Sequence, residues 1–289
     1  MGVDSVCGLC HQEAHLRQSH IIPRFVLNHI ASEAAKDRHV MSPTSPNQPQ
    51  QGGTKGIHVA ELLCEACEAR FSRWEGAFQR YLFTPFHRGE QGPFAYREWL
   101  LKYAVSQSWR SAVMRSTQLA LPTAIRDPAR RAELVGLRLA LAAWRGFLLD
   151  ERPDPGPYQH HLVLYDYPLD RMPLTLNHRY EYWRAGIDYA IIWRNGSMAI
   201  FTKLCRMVLW STLHPLDAVG WRNTRIQARG EIGPSWEQRI SRADGAYLWT
   251  RIERELAAMR PRIKPRIKPH RWFELERQLH VNKQDLGIE

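Results

Sequence analysis

A chain of 289 residues, 44% hydrophobic and 24% charged, has the composition of a soluble globular protein long enough for one large domain or two modest ones. It lacks the apolar run of about eighteen residues that a membrane span needs, and its first residues show no basic segment followed by an apolar one, which argues against a signal peptide and for the cytoplasm. Forty Lys and Arg against 29 Asp and Glu leave a net charge of +11, an excess that favours a polyanionic partner, nucleic acid being the commonest inside a cell.

The chain opens on Cys7-Gly8-Leu9-Cys10, followed by Ser19-His20-Ile21-Ile22-Pro23. Pro23 biases Ile22 away from the helical region, so residues 19–22 read as a strand. A short helix is expected over residues 25–35, and the Pro-, Gly-, Gln- and Ser-rich residues 42–56 as a loop. A strand over 57–63 runs into Cys64-Glu65-Ala66-Cys67. Residues 65–83 follow as a helix, with Phe71, Trp74, Phe78 and Leu82 on one side.

Residues 84–93, rich in Gly and Pro, mark a boundary between units 1–90 and 91–289. Residues 96–116 are helical in pattern. Asp127-Pro128 starts a second long helix as N-cap and first-turn proline, with a core stripe of Leu134, Leu137, Leu141, Trp144 and Leu148. Strands are then expected at 159–167, 188–194 and 197–203, the last two joined by the hairpin dipeptide Asn195-Gly196. The sheet continues through 205–210, where Cys205 reads as a small core residue in an apolar strand. His160 and His161 fall on opposite sides of their strand and do not share an ion. A helix over 247–259 precedes a doubled Pro-Arg-Ile-Lys unit. There Arg260, Arg262, Lys264, Arg266 and Lys268 form an extended basic arm suited to phosphates.

Four of the five cysteines form two Cys-x-x-Cys pairs, Cys7/Cys10 and Cys64/Cys67. In a reducing compartment such pairs read as metal ligands rather than disulfides. Two intervening residues let both sulfurs reach one tetrahedral Zn²⁺ from a tight turn. Four thiolates leave no open position, so this zinc is structural and contributes to folding.

The order Cys-x-x-Cys, Ser19-His20-Ile21-Ile22-Pro23, then Leu62-Leu63-Cys64-x-x-Cys67 opening a helix resembles the HNH (ββα-metal) endonucleases over about the first 85 residues. The resemblance implies an α+β protein: an N-terminal zinc-splinted ββα-metal module, then a helical segment and a module containing an antiparallel sheet. It implies metal-dependent hydrolysis of phosphodiester bonds in nucleic acid, DNA before RNA, with bacterial defence as a possible setting. His20 matches the general base, and Cys7, Cys10, Cys64 and Cys67 match the knuckle. A neutral imidazole takes a proton from water at cellular pH, and a bound Mg²⁺ or Mn²⁺ would stabilise the leaving oxygen.

The sequence departs from the family pattern at three places. Ser19 stands where an acidic residue or His is common, residues 58–61 carry no Asn, and Glu68 replaces the usual His or Asn after the second pair. Glu68 is a good ligand for a hard cation. Glu75, two turns on, reads as a solvated helix face that might reach the same site, and His15 and His58 are further candidates. The alternative is a non-catalytic zinc-knuckle protein that binds nucleic acid or another protein. No motif in residues 91–289 separates a protein partner from nucleic-acid recognition or regulation of the N-terminal module.

Overall fold

A computed structural model describes residues 5–36, 59–119, 128–165, 186–194, 197–213, 221–241, 244–245, 247 and 250. The expected loop over 42–56, His58, the Asn195-Gly196 dipeptide, most of the helix expected over 247–259 and the basic arm from Arg260 to Lys268 lie outside the described residues.

Helices and antiparallel sheets combine in an α+β architecture. Strands β1 (Ser5–Val6) and β2 (Glu13–Ala14) pair as a small hairpin that carries the first cysteine pair in its loop. Strand β3 (Leu16–His20) leads through Pro23 into helix α1 (Arg24–Lys36). The strand ends at His20, earlier than the reading from Pro23, and Ile21 and Ile22 turn inward as buried anchors. Strand β4 (Val59–Cys64) pairs antiparallel with β3, placing Leu16 opposite Cys64 and His20 opposite Val59, with an irregularity between Arg17 and Gln18. Helix α2 (Glu65–Phe78) starts on the next residue. It continues as a π-helical stretch, Gln79–Phe83, and a short α3 (Thr84–His87). Phe71, Phe78 and Leu82 on its apolar side are completely buried.

Strand β5 (Phe94–Tyr96) pairs with the distant β10 (Gly230–Ile232). Between them in sequence lie α4 (Glu98–Leu119), α5 (Pro128–Leu148) and a four-stranded sheet. Its strands are β6 (His160–Leu164), β7 (Ile187–Arg194), β8 (Ser197–Leu204) and β9 (Met207–Thr212), arranged in the antiparallel order β6-β9-β8-β7. Arg194 faces Ser197, and Leu204 faces Met207, so both hairpins close over two residues. Every residue of β6 and β9 is buried. That requires cover on both faces and explains runs of apolar residues in place of alternation.

Helix α4 is the spine of the molecule. It packs against α2, against α5 and across one face of the four-stranded sheet. Surrounded in this way, it buries Lys102, Ser106, Gln107, Ser108, Arg110 and Ser111 together with Leu100, Tyr103 and Trp109. Each buried polar side chain requires a partner. Ser108 meets Ser211 of β9 at 2.6 Å, Gln107 Nε2 donates to the Ile21 carbonyl at 2.7 Å, and Lys102 Nζ donates to Asp150 Oδ1 at 2.6 Å. Helix α5 starts at Pro128, as expected; Leu134, Leu137, Trp144 and Leu148 of its stripe are buried and Leu141 partly so, and Asp150 takes a left-handed φ of 63° just beyond its end.

Among the described residues no helix is long and apolar enough to cross a membrane.

Candidate functional site

The β1–β2 loop is held against β4 by backbone contacts. Gly8 N–H donates to the Leu62 carbonyl at 2.9 Å, and Cys7 N–H donates to the Gln12 carbonyl at 2.9 Å. A Cβ on Gly8 would stand 3.2 Å from the same Leu62 oxygen, so the close approach favours glycine there. Arg145 of α5 donates from Nε to the Leu9 carbonyl at 2.8 Å and ties the loop to the body of the protein.

These contacts bring the two cysteine pairs together. The sulfurs of Cys7, Cys10, Cys64 and Cys67 all lie within 4.8 Å of one another, close enough to hold one metal ion. Zinc–sulfur bonds of about 2.3 Å in a tetrahedron separate sulfurs by about 3.8 Å, and Cys10 Sγ lies 3.8 Å from Cys64 Sγ. All four thiols are free, and the Cys64 N–H donates to Cys7 Sγ at 3.3 Å. Such N–H donors favour thiolate. Burial raises the Cys7 thiol, but donation from Cys64, Cys10 and Leu9 outweighs it and brings the group down to about 7. Cys67 is pushed up by burial and by the neighbouring sulfurs, a repulsion that a shared cation would relieve.

The second half of the site stands where β3 meets α2. Ser19 is completely buried, and its Oγ donates to Glu68 Oε2 at 2.9 Å. The direct contact with Glu68 is thus made by Ser19, the residue before His20. Glu75 is no solvated face, as it reads in sequence: its Oε1 accepts from Arg110 Nη1 at 2.5 Å, with 17% of its side chain exposed. The same guanidinium, through Nη2, stands 3.9 Å from Glu68 Oε1 and lies 4.8 Å over the Phe71 ring. Position 110 reads as one more turn of an apolar-patterned helix, and only a charge amid residues that become core marks it in the sequence.

His20 is half-buried at the end of β3. Burial and the Arg24 guanidinium push its imidazole below the ordinary value, against the opposing pull of Glu68 and Glu75. The ring is therefore neutral at neutral pH, as a general base must be. Among the described residues, the sets of three or more ligand side chains close enough to share an ion are the four cysteines and His29/His87/Cys205. Neither set contains His20 or Glu68. His15 is exposed. His160 and His161 go to opposite faces as expected, His160 to Ser211 Oγ at 2.6 Å and His161 to Thr224 Oγ1 at 3.0 Å. Cys205 is buried but occupies the tight turn between β8 and β9 rather than a strand, with φ 56°.

No family model matches the chain, and comparisons with curated proteins and with solved structures return no match.

Proposed function

We propose that this chain is a metal-dependent endonuclease of the HNH (ββα-metal) type, splinted by a structural Zn²⁺ on Cys7, Cys10, Cys64 and Cys67. The observation that carries the reading is the order of parts around that cluster. An antiparallel strand pair and a helix follow one another, with a neutral histidine ending the first strand and a carboxylate in the first turn of the helix. His20 accepts the proton of the attacking water. Glu68 is the carboxylate that would hold Mg²⁺ or Mn²⁺, ions that usually bind through one or two protein carboxylates, waters and the substrate's own phosphates rather than a closed protein cage. Such an ion, when bound, supplies charge to the leaving oxygen. Ser19 orients the Glu68 carboxylate, and Gln107 pins the Ile21 carbonyl and so fixes the exit of β3. The net charge of +11 and the arm from Arg260 to Lys268 supply phosphate-backbone contacts, to DNA before RNA.

The test is cleavage of plasmid, single-stranded DNA and RNA by the zinc-loaded protein. Cutting is expected to need added Mg²⁺ or Mn²⁺ and to fall at least about 100-fold in His20→Ala. No cleavage of any substrate across divalent metals would remove the enzyme reading.

A second reading has an observation of its own. Glu68 is already engaged by Ser19 and faced by the Arg110 guanidinium, which leaves little unmet negative charge for a cation. A zinc-knuckle protein that binds nucleic acid without cutting it fits that arrangement. Binding with a steep salt dependence and no cleavage would favour it.

A further inference from the structure

Outside the four-cysteine cluster, one set of side chains among the described residues has the composition of a metal site and no role in the reading above. His29 comes from α1, His87 from the end of α3, and Cys205 from the β8–β9 turn, and their ligand atoms all lie within 4.8 Å of one another. Three elements distant in sequence converge there.

The histidine geometry is that of a ligand. His87 Nδ1 lies 2.8 Å from the Phe83 carbonyl, one turn earlier in the helix. A carbonyl only accepts, so Nδ1 carries the proton and Nε2 presents its lone pair. A carbonyl contact of this kind is how metal-bound imidazoles are usually held in one tautomer. Nε2 accepts a hydrogen bond of 3.4 Å from the Arg206 backbone N–H, which a bound ion would displace. The His29 ring stands 4.7 Å from the His87 ring at 64°, and Phe83 lies beside both, 5.3 Å from His29 and 4.1 Å from His87.

The cysteine occupies an unusual backbone position. Cys205 is the first of the two residues that close the β8–β9 hairpin, and its φ is 56°. Glycine is the favoured residue at such a position. A completely buried thiol held there against backbone preference fits a side chain retained for its sulfur, since strained backbone clusters at functional sites. Two side-chain cations stand near: Arg206, with Nε on the Tyr165 carbonyl at 3.2 Å and its guanidinium 4.5 Å over Phe86, and buried Lys203, whose ammonium donates to the Cys205 carbonyl and is favoured by charge on the Cys205 sulfur.

We propose that His29, His87 and Cys205 form a second metal site, for a borderline-soft divalent ion with Zn²⁺ first. Two imidazoles and a thiolate suit zinc over magnesium or calcium. Three protein ligands leave a fourth position for water or an exogenous ligand, unlike the closed four-cysteine site. The site stands independently of the nuclease reading.

The test is zinc content of the full chain after zinc loading and removal of unbound metal, measured by elemental mass spectrometry. Each of Cys205→Ser, His87→Gln and His29→Gln is expected to remove one zinc equivalent and leave the metal on the four-cysteine cluster in place. An unchanged content in all three variants, or a wild-type chain that binds no zinc beyond what Cys64→Ser abolishes, would overturn the proposal. If a variant fails to fold, cobalt substitution of the wild-type chain decides the matter. Two spectroscopically distinct cobalt species, released at different chelator concentrations, support the second site, and a single four-thiolate species overturns it.

Discussion

Arg110 is a guanidinium with 1% of its surface exposed, in the middle of α4. Burying that charge is tolerable because Glu75 lies 2.5 Å away, Glu68 3.9 Å away and the Phe71 face beneath it. Removing one partner of such a pair costs more than the pair contributes, since the remaining charge stays desolvated. Arg110→Met is therefore expected to destabilise the protein by about 2–4 kcal/mol, reduced from the fully buried case because the two carboxylates keep some solvent contact. Glu75→Gln in the Arg110→Met background is expected to recover part of that loss. Thermal or urea unfolding of the two single variants and the double variant measures the coupling, and additive losses would show that the pair does not act as a unit.

At the scale of elements, the four cysteines gather the β1–β2 loop, the end of β4 and the start of α2 at one point, beside the backbone contact from Gly8 to Leu62. Cys7 and Cys10 sit in the β1–β2 loop, Cys64 ends β4, and Cys67 lies in the first turn of α2. An ion bound there would fix the angle between β4 and α2, which carry Cys64 and Cys67. Stripping the metal with a chelator is expected to speed amide hydrogen exchange in Leu16–His20 and Val59–Cys64 while the β6–β9 sheet, held by its own core, keeps its protection. Equal exchange in the loaded and stripped protein would show that the cluster is not a splint. The cysteine pairs were legible from spacing alone, because ligand geometry dictates it. The β7–β8 hairpin was legible because Asn195-Gly196 between two strand-like runs is a turn signal, and the strands do pair from Arg194 opposite Ser197. Helix α4 was legible as a helix but not as the centre of the fold. An element covered on all sides loses the one-sided pattern that sequence reading depends on, and Lys102, Gln107 and Arg110 find their partners only through tertiary contact. Glu75 was misread for that reason, its partner lying on another helix. Cys205 was misread because its turn carries no Gly or Asn to break the run of apolar residues.

Across the whole molecule, burial holds three of the described histidines neutral: His160 and His161, side by side in the sheet, and His87, pushed down to about 3. The four-stranded sheet is covered on both faces, so adjacent residues of β6 are both buried. His160 packs by Trp144 at 5.5 Å, and His161 by Trp221 at 4.7 Å. Burial pushes His160 down to about 3, with a smaller contribution from His161, and pushes His161 down to about 4, helped by Arg225. An imidazole whose folded value lies below its unfolded value of about 6.5 binds more protons when the chain unfolds. Its contribution is therefore complete above about pH 6.5 and is lost as the pH falls toward the folded value. Each group costs up to about 1.4 kcal/mol per pH unit in that window, so His160 and His161 together remove about 3–4 kcal/mol between pH 6.5 and 5, and His87 in the metal-free protein adds about half as much again. That is a large part of the 5–15 kcal/mol or so that typically holds a domain folded. Carboxylates do not confuse the window. Asp150, held low by its hydrogen bond to Lys102 and by Arg70, keeps its contribution above about pH 4 and loses it only below. His160→Asn leaves a polar atom where Nδ1 meets Ser211 but cannot titrate. It is expected to lower stability at pH 7.5 through lost volume and to take about a third off the slope of unfolding free energy against pH between 6.5 and 5, the share of one of the three depressed histidines. Urea unfolding at half-unit pH steps measures that slope, and an unchanged slope in the variant would show that His160 is not held neutral by the core.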